Sequence, residues 1–441
     1  MLPLTRPQRQ ALVTLAMAAL TVVPTGYVAL TAWRIARPGH VRDVEVEIGR
    51  SIGLRVTLDG VRYPRPGEVV YQGIVLRQDE PRRGTQVEIA RARTVRLRRN
   101  GRDLVLEADG LALRAAGPRQ AMAQVGSLLG GVGEGAYRQV SLAAPTCTVD
   151  LGDGPSSGLS FELRDLAASF QNDRRAPGLS ASYRFLDRGG STRCELGLTR
   201  DRKAEAVETT VALRTMEGVP LPARVLDAFF DSAEWLGPSA RVQGALTLKQ
   251  SGSADWRAEF AGDLFDVDLR TLFERRFPRH RMTGLAHVAI KNARWTDRRG
   301  QGFGWAGAEG ELTAGAGSIG FDLLASLVAE MKFAAARKID RQPDVPFHAL
   351  GFTFALTPDG EIALGGGFRN QFAPDDILVS HDRPLFKAPA GRANVRGLLK
   401  SLYPATPDTL APMTADSQLL SRFLPLPPGI AARDASRLRG N

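Results

Sequence analysis

Gly315-Ala316-Gly317-Ser318-Ile319-Gly320 matches the GxGxxG spacing that lets a backbone wrap a pyrophosphate. That chemistry requires a parallel β-α-β unit, because the phosphate rests on the helix N-terminus that follows the first strand. The flanking segments alternate as antiparallel strands do, so the motif reads as a strand-to-helix turn. Gly302–Gly307 has the same spacing with no helix after it. Gly154-Pro155-Ser156-Ser157-Gly158 satisfies GxSxG, yet a nucleophile elbow needs a strained strand–helix turn and this stretch reads as a polar hairpin tip. The histidines (His40, His280, His287, His348, His381) are scattered. His280 and His287 lie seven apart without a third ligand, which suits a surface or packed role better than a metal. No HExxH, Walker lysine loop or paired carboxylates are visible. No catalytic residue, metal ligand or cofactor is expected, and the chain does not read as an enzyme.

Two other residue sets remain. Cys147 and Cys194 fall on the apolar phase of strand-like runs; they are either two buried thiols or, in an oxidising compartment, a disulfide. Arg91, Arg93, Arg96, Arg98 and Arg99 change face midway and make no single stripe. Arg275, Arg276, Arg279 and Arg281 are compact around Phe277, and read as a solvated turn or as a contact for anionic lipid or an envelope partner.

These residues hang on a chain of 441, 43% hydrophobic, with 58 basic against 47 acidic side chains and a formal charge of +11. Two cysteines exclude a disulfide scaffold, a zinc ribbon and an iron–sulfur protein. From Ala11 to Trp33 there is no charge, Arg6 and Arg9 precede the run, and Tyr27 and Trp33 sit toward its far end as interfacial aromatics do. The expected reading is an uncleaved anchor at 11–33 with residues 1–10 as a short cytoplasmic tail; a signal peptide is the rival, and a buried core helix the third option. The first two export the bulk of the chain, which argues against a nucleic-acid partner.

Period-two alternation then dominates. Val44–Ile48 and Leu54–Leu58 alternate, and so do Leu104–Leu106, Cys147–Leu151, Leu159–Leu163, Leu179–Phe185, Cys194–Leu198, Val207–Leu213, Ala240–Leu248, Ala286–Ile290 and Leu350–Leu356. Turn clusters such as Asn100-Gly101 and Gly189-Gly190 separate them. Helices are expected only at Pro118–Leu129, Pro220–Leu236, Asp268–Phe277, Gly320–Lys332 and near Val395–Tyr403. The fold class is therefore mainly β: a transmembrane helix, an antiparallel β-domain over 41–371 with a few short amphipathic helices, and a Pro-rich, loosely ordered tail over 372–441.

The order of an anchor, LRVTLDGVRYPRPGEVVYQGIVL, the helix-like VPLPARVLDAFF, LGPSARVQGALTL and AGAEGELTAGAGSIGFDLLASL resembles the AsmA-like family of bacterial envelope proteins over roughly residues 1–365. The resemblance implies an elongated, curved sheet forming a β-groove lined by apolar side chains, and phospholipid transport or homeostasis from the inner membrane with the bulk of the chain periplasmic. A closed sandwich buries the same apolar face equally well, and alternation does not separate the two. The groove-lining candidates are Val207, Val211, Leu213, Leu246, Leu248, Phe352, Phe354 and Leu356. The partners so implied are phospholipid and the inner membrane. The alternative is a structural or assembly factor of the envelope acting through protein–protein contacts.

Overall fold

The computed structural model describes residues 6–80, 85–115, 137–151, 159–173, 175–187, 189–203, 207–226, 232–251, 255–297, 303–336, 341–368, 373–381 and 383–403. The chain divides into two compact units, one made of residues 1–98 and 107–113, the other of 99–106 and 114–441.

The first unit opens with α1 (Arg6–Ala36), whose stretch Gln10–Ala36 is long and apolar enough to cross a membrane and has none of its apolar window buried. The hydroxyls of Thr14, Thr21 and Thr25 donate to carbonyls one turn back, so these three are satisfied within the helix. Arg37 lies over the Trp33 ring at 3.5 Å. Next comes α2 (His40–Ile52), and here the expected strand at Val44–Ile48 is overturned. Val41, Val44, Ile48 and Ile52 are spaced three and four apart, which satisfies a helix as well as the short 44–46–48 alternation satisfies a strand. The helix prevails, Val46 is left 46% exposed, and Gly53 closes the last turn in the left-handed region at φ 70°. The unit's strands are β1 (Arg55–Thr57), β2 (Gly60–Arg65), β3 (Glu68–Glu80), β4 (Thr85–Asn100), β5 (Asp103–Asp109) and β6 (Leu111–Ala115), the last residues of β4 and β6 and the start of β5 belonging to the second unit. β3 pairs antiparallel with β1, β2 and β4. Val56, Leu58 and Ala92 are buried in this unit.

The second unit is a meander. β7 (Gln139–Leu151), β8 (Leu159–Gln171), β9 (Gly178–Asp187), β10 (Gly190–Asp201) and β11 (Glu208–Gly218) pair in sequence order, all antiparallel. β11 passes beside a short β12 (Leu221–Pro222) to β13 (Arg241–Ser251), which pairs with β14 (Asp255–Asp268). After a short β15 (Met282–Thr283), β16 (Leu285–Asp297) and β17 (Phe303–Ala314) continue the order. β18 (Gly317–Gly320), β19 (Ala334–Ala335) and β20 (Asp344–Phe347) are short, and β21 (Ala349–Leu356) returns to pair with β17 and with β22 (Glu361–Gly366). β23 (Asp376–Ser380), β24 (Arg383–Lys387) and β25 (Ala393–Asn394) complete the strands.

Among its described residues this unit's helices are short: α3 (Ser232–Leu236), α4 (Leu269–Arg276), α5 (Phe321–Met331) and α6 (Val395–Leu402). Asp268 caps α4 by accepting from the Arg270 amide at 2.9 Å, and Asn394 caps α6 by accepting from Gly397 at 2.7 Å. Three of the expected helices fall at α4, α5 and α6. The helix expected over Pro220–Leu236 does not run through: Leu221 pairs with Val242 as a strand residue, a 3₁₀ turn follows at Ala223–Leu226, and among the described residues of the stretch only Ser232–Leu236 is α-helical. The candidate at Pro118–Leu129 lies outside the described residues.

A further correction concerns the tail. Residues 373–403 fold into β23, β24, β25 and α6, and bury Ile377, Leu378, Val379, Leu385, Phe386 and Val395. The prolines of this stretch sit at turns and strand ends, where their missing N–H costs nothing, so proline content did not signal the lack of a core. The main core gathers Ile377, Leu378, Leu385 and Phe386 with Phe273 of α4, Phe277 just after it, Leu323 and Leu324 of α5, and Phe347 of β20, while Val395 packs with Met331, Ile362 and Ala393.

Candidate functional site: the apolar face of the meander

Cross-strand partners face the same side of a sheet, so register places side chains that sequence separates. One row runs from β7 to β22 without a polar member: Leu142, Ala168, Ala181, Leu196, Leu213, Leu246, Phe260, Ala293, Ala308, Leu356 and Ile362 are successive partners. A parallel row two residues along reads Val140, Phe170, Leu179, Leu198, Val211, Leu248, Ala258 and Trp295. On the opposite face Glu195 stands across from Arg214, and Thr247, Glu259 and Arg294 form one line.

Most of the first row is half-buried; Ala293 and Ile362 are buried. The reason is uneven cover. Toward β16, β17 and β21 the face lies under α4, α5 and Phe347. Over β8–β10 and β13, Leu221, Val225 and Leu226 fold back across Phe161, Phe185, Cys194 and Val242. Beyond that strap, Leu198 and Val211 are screened by Phe170, Leu179, Leu196 and Leu248, all of them residues of neighbouring strands in the same sheet. Among the described residues no helix or second sheet contributes to that cluster. The face ends at the polar row Arg200, Thr209 and Gln250.

The low polarity of this face shows in its ionisable groups. Burial pushes the Cys147 and Cys194 thiols up to about 11, the Cys194 shift being partly offset by its hydrogen bond with Tyr183. Burial also raises the Tyr183 hydroxyl. Both cysteines are free and fully buried. They stand on β7 and β10 with two strands between, about 14 Å along the sheet, far outside disulfide reach.

Of the groove candidates, Val211 pairs with Leu248 and Leu213 with Leu246. Leu356 belongs to the first row, while Phe354 and Phe352 follow on the same side of β21. Phe354 is opposite Gly310, where a Cβ would come within 2.5 Å of the Ala289 carbonyl and 2.7 Å of the Phe354 ring. Val207 does not join them: it precedes β11, beyond the polar row, and is 37% exposed.

The structure splits the basic cluster. Phe277 and His280 turn into the core, whereas Arg281 faces solvent and pairs with Asp344 at 3.6 Å. Arg275 and Arg276 end α4, and both Arg275 and Arg279 have partners of their own. Of the earlier arginine run, Arg96 and Arg98 are neutralised within the first unit, where Glu68 and Glu107 each approach both. His280 is buried, which lowers its pKa, while His287 Nε2 meets Asp263 at 2.9 Å and its ring stacks on Phe265. Among the described residues no cluster of three His, Cys, Asp or Glu offers a metal site. Gly317–Gly320 is a strand antiparallel to β15 and β20, which removes the parallel unit a dinucleotide needs. The GxSxG stretch lies outside the described residues.

Phe170, Leu196, Leu198 and Phe260 belong to the face and were not among the candidates. Their alternation was visible; their register with distant strands was not. Comparison with family models, curated proteins and solved structures finds no match.

Proposed function

We propose that this is a membrane-anchored, non-enzymatic protein of the bacterial envelope that holds phospholipid acyl chains along the apolar face of its meander, in the manner of AsmA-like lipid-transfer proteins. The observation that carries the reading is the unbroken apolar row from β7 to β22, most of it half-buried, part of it beside a cluster to which, among the described residues, no second layer contributes. An apolar face left against water is costly, at about 25 cal/mol per Å². Acyl chains lower that cost without directional contacts, so the selectivity for chain type is loose. α1 supplies the anchor in the inner membrane, and the β-domain works on the periplasmic side.

Site-specific photocrosslinking in cells tests this. A photoreactive residue at Leu246 gives phospholipid adducts, and one at Thr247, on the opposite face, gives none. Equal labelling at both positions, or no lipid at Leu246, sinks the proposal. A protein adduct at Leu246 in place of lipid instead supports the assembly-factor reading.

A further inference from the structure

A second feature lies in the first unit. A cavity of about 440 Å³ opens on the β1–β3–β4 surface, lined by Thr57, Asp59, Arg77, Arg91 and Arg93. Thr57 pairs with Val75 and Val75 with Arg91; on the same face Arg77 follows on β3 to one side of that pair, opposite Glu88 of β4, and Arg93 follows on β4 to the other. Gly73 and Gly110 form its floor, both with positive φ. A Cβ at Gly73 would overlap the Asp59 carboxylate at 1.8 Å, and one at Gly110 would press on the Arg93 Cβ at 3.2 Å, so glycine keeps the hollow open.

The cations here are not spent on one another's neighbours. Arg77 makes no ion pair among the described residues. Arg91 approaches Glu88 at 3.8 Å and Arg93 approaches Asp109 at 3.6 Å, both longer than a hydrogen bond, with the arginines 64% and 79% exposed. Their guanidinium N–H groups therefore remain available as donors. The arginine set outweighs Asp59 on the wall, and a guanidinium fork matches two oxygens of a phosphate. The sheet also stands next to the end of the apolar helix. His40 at the start of α2 meets Tyr63 at 2.8 Å, and Glu45 of α2 accepts from the Leu58 amide at 2.7 Å. Only α2 separates β1 from α1.

We propose that this cavity binds a phosphate group through Arg77, Arg91 and Arg93. Two sources share that chemistry, a phospholipid headgroup and free phosphate. The headgroup source rests on the membrane reading above; phosphate binding itself does not.

The test uses the full chain in a neutral detergent, titrated in separate arms with inorganic phosphate and with dihexanoyl phosphatidylglycerol. Wild type binds at least one of them, more weakly as salt rises, and Arg77→Gln or Arg91→Gln lowers the affinity by about tenfold or more. Arg91 is exposed, so its variant keeps the fold even where Arg77→Gln does not, and far-UV circular dichroism checks both. Tighter binding of the lipid than of phosphate assigns the headgroup; equal binding assigns free phosphate. Absence of binding below about 10 mM in both arms, or variants that bind as wild type does, overturns the proposal. Leu246→Asp retains phosphate binding while losing acyl chains, so failure of the groove and failure of this site are distinguishable.

Discussion

Cys147 and Cys194 show how strongly the apolar face acts on single residues. Their thiols titrate near 11 in the folded chain against an ordinary value of 9.0, so the native state holds protons that the unfolded chain has released. Stability from this source is complete below about pH 9 and falls as the pH rises toward 11. Urea midpoints at pH 7, 9 and 10.5 check it: the decline is expected in wild type and is shallower in Cys147→Ala/Cys194→Ala. Phe347 is a different kind of residue, 2% exposed at the centre of the main core. Phe347→Ala is expected to cost about 3–5 kcal/mol by chemical denaturation, from lost transfer energy and the cavity left behind. The apolar phase of the two cysteines was legible in the sequence, whereas the place of Phe347 was not, since it lies outside every alternating run that identified a strand.

At the scale of elements, local pattern predicted most of what formed. The alternating runs after residue 54 lie in strands, and α4, α5 and α6 appear where capping and periodicity put them. Two segments went the other way for a shared reason. Val44–Ile48 is too short for period two to outweigh the spacing of three and four that its neighbours complete. Leu221 was read as helical, yet pairing with Val242 and burial over Phe161 recruit it into the strap. Where strands come close, small residues decide what fits. Gly310→Val drives a side chain into the Ala289 carbonyl and the Phe354 ring, and is expected to lose about 1–3 kcal/mol, read as a lowered urea midpoint with the m-value unchanged.

For the molecule as a whole, the boundary of the folded region moves the most. Residues 373–403 contribute strands and a helix to the core of the second unit, so a chain ending at Phe368 exposes the partners of Leu378, Leu385 and Val395. That truncation is expected to abolish cooperative unfolding, which a single thermal melt reveals. The single β-domain expected over 41–371 also divides into two units, whose boundary passes through β4 and β5. A strand shared by two units carries no compositional mark at the crossing, which is why no linker pointed to it. Topology is tested at the same scale: a C-terminal reporter active only when exported is expected to signal, and a cytoplasmic signal there removes the envelope reading.

The sequence by itself determined the class of the protein: an apolar N-terminal helix, strands whose side chains alternate apolar and polar, and the lack of a recognisable catalytic motif. These follow from properties of neighbouring residues, charge and period, which need no knowledge of distant partners. Only the tertiary structure decided which strands stand side by side, and with them the apolar row from Leu142 to Ile362, the strap at Leu221–Leu226 and the arginine cavity around Arg77. The physical reason is register. A strand's own pattern specifies which face is apolar, but the length of the turns and the bulges between strands specify what each residue meets across the sheet.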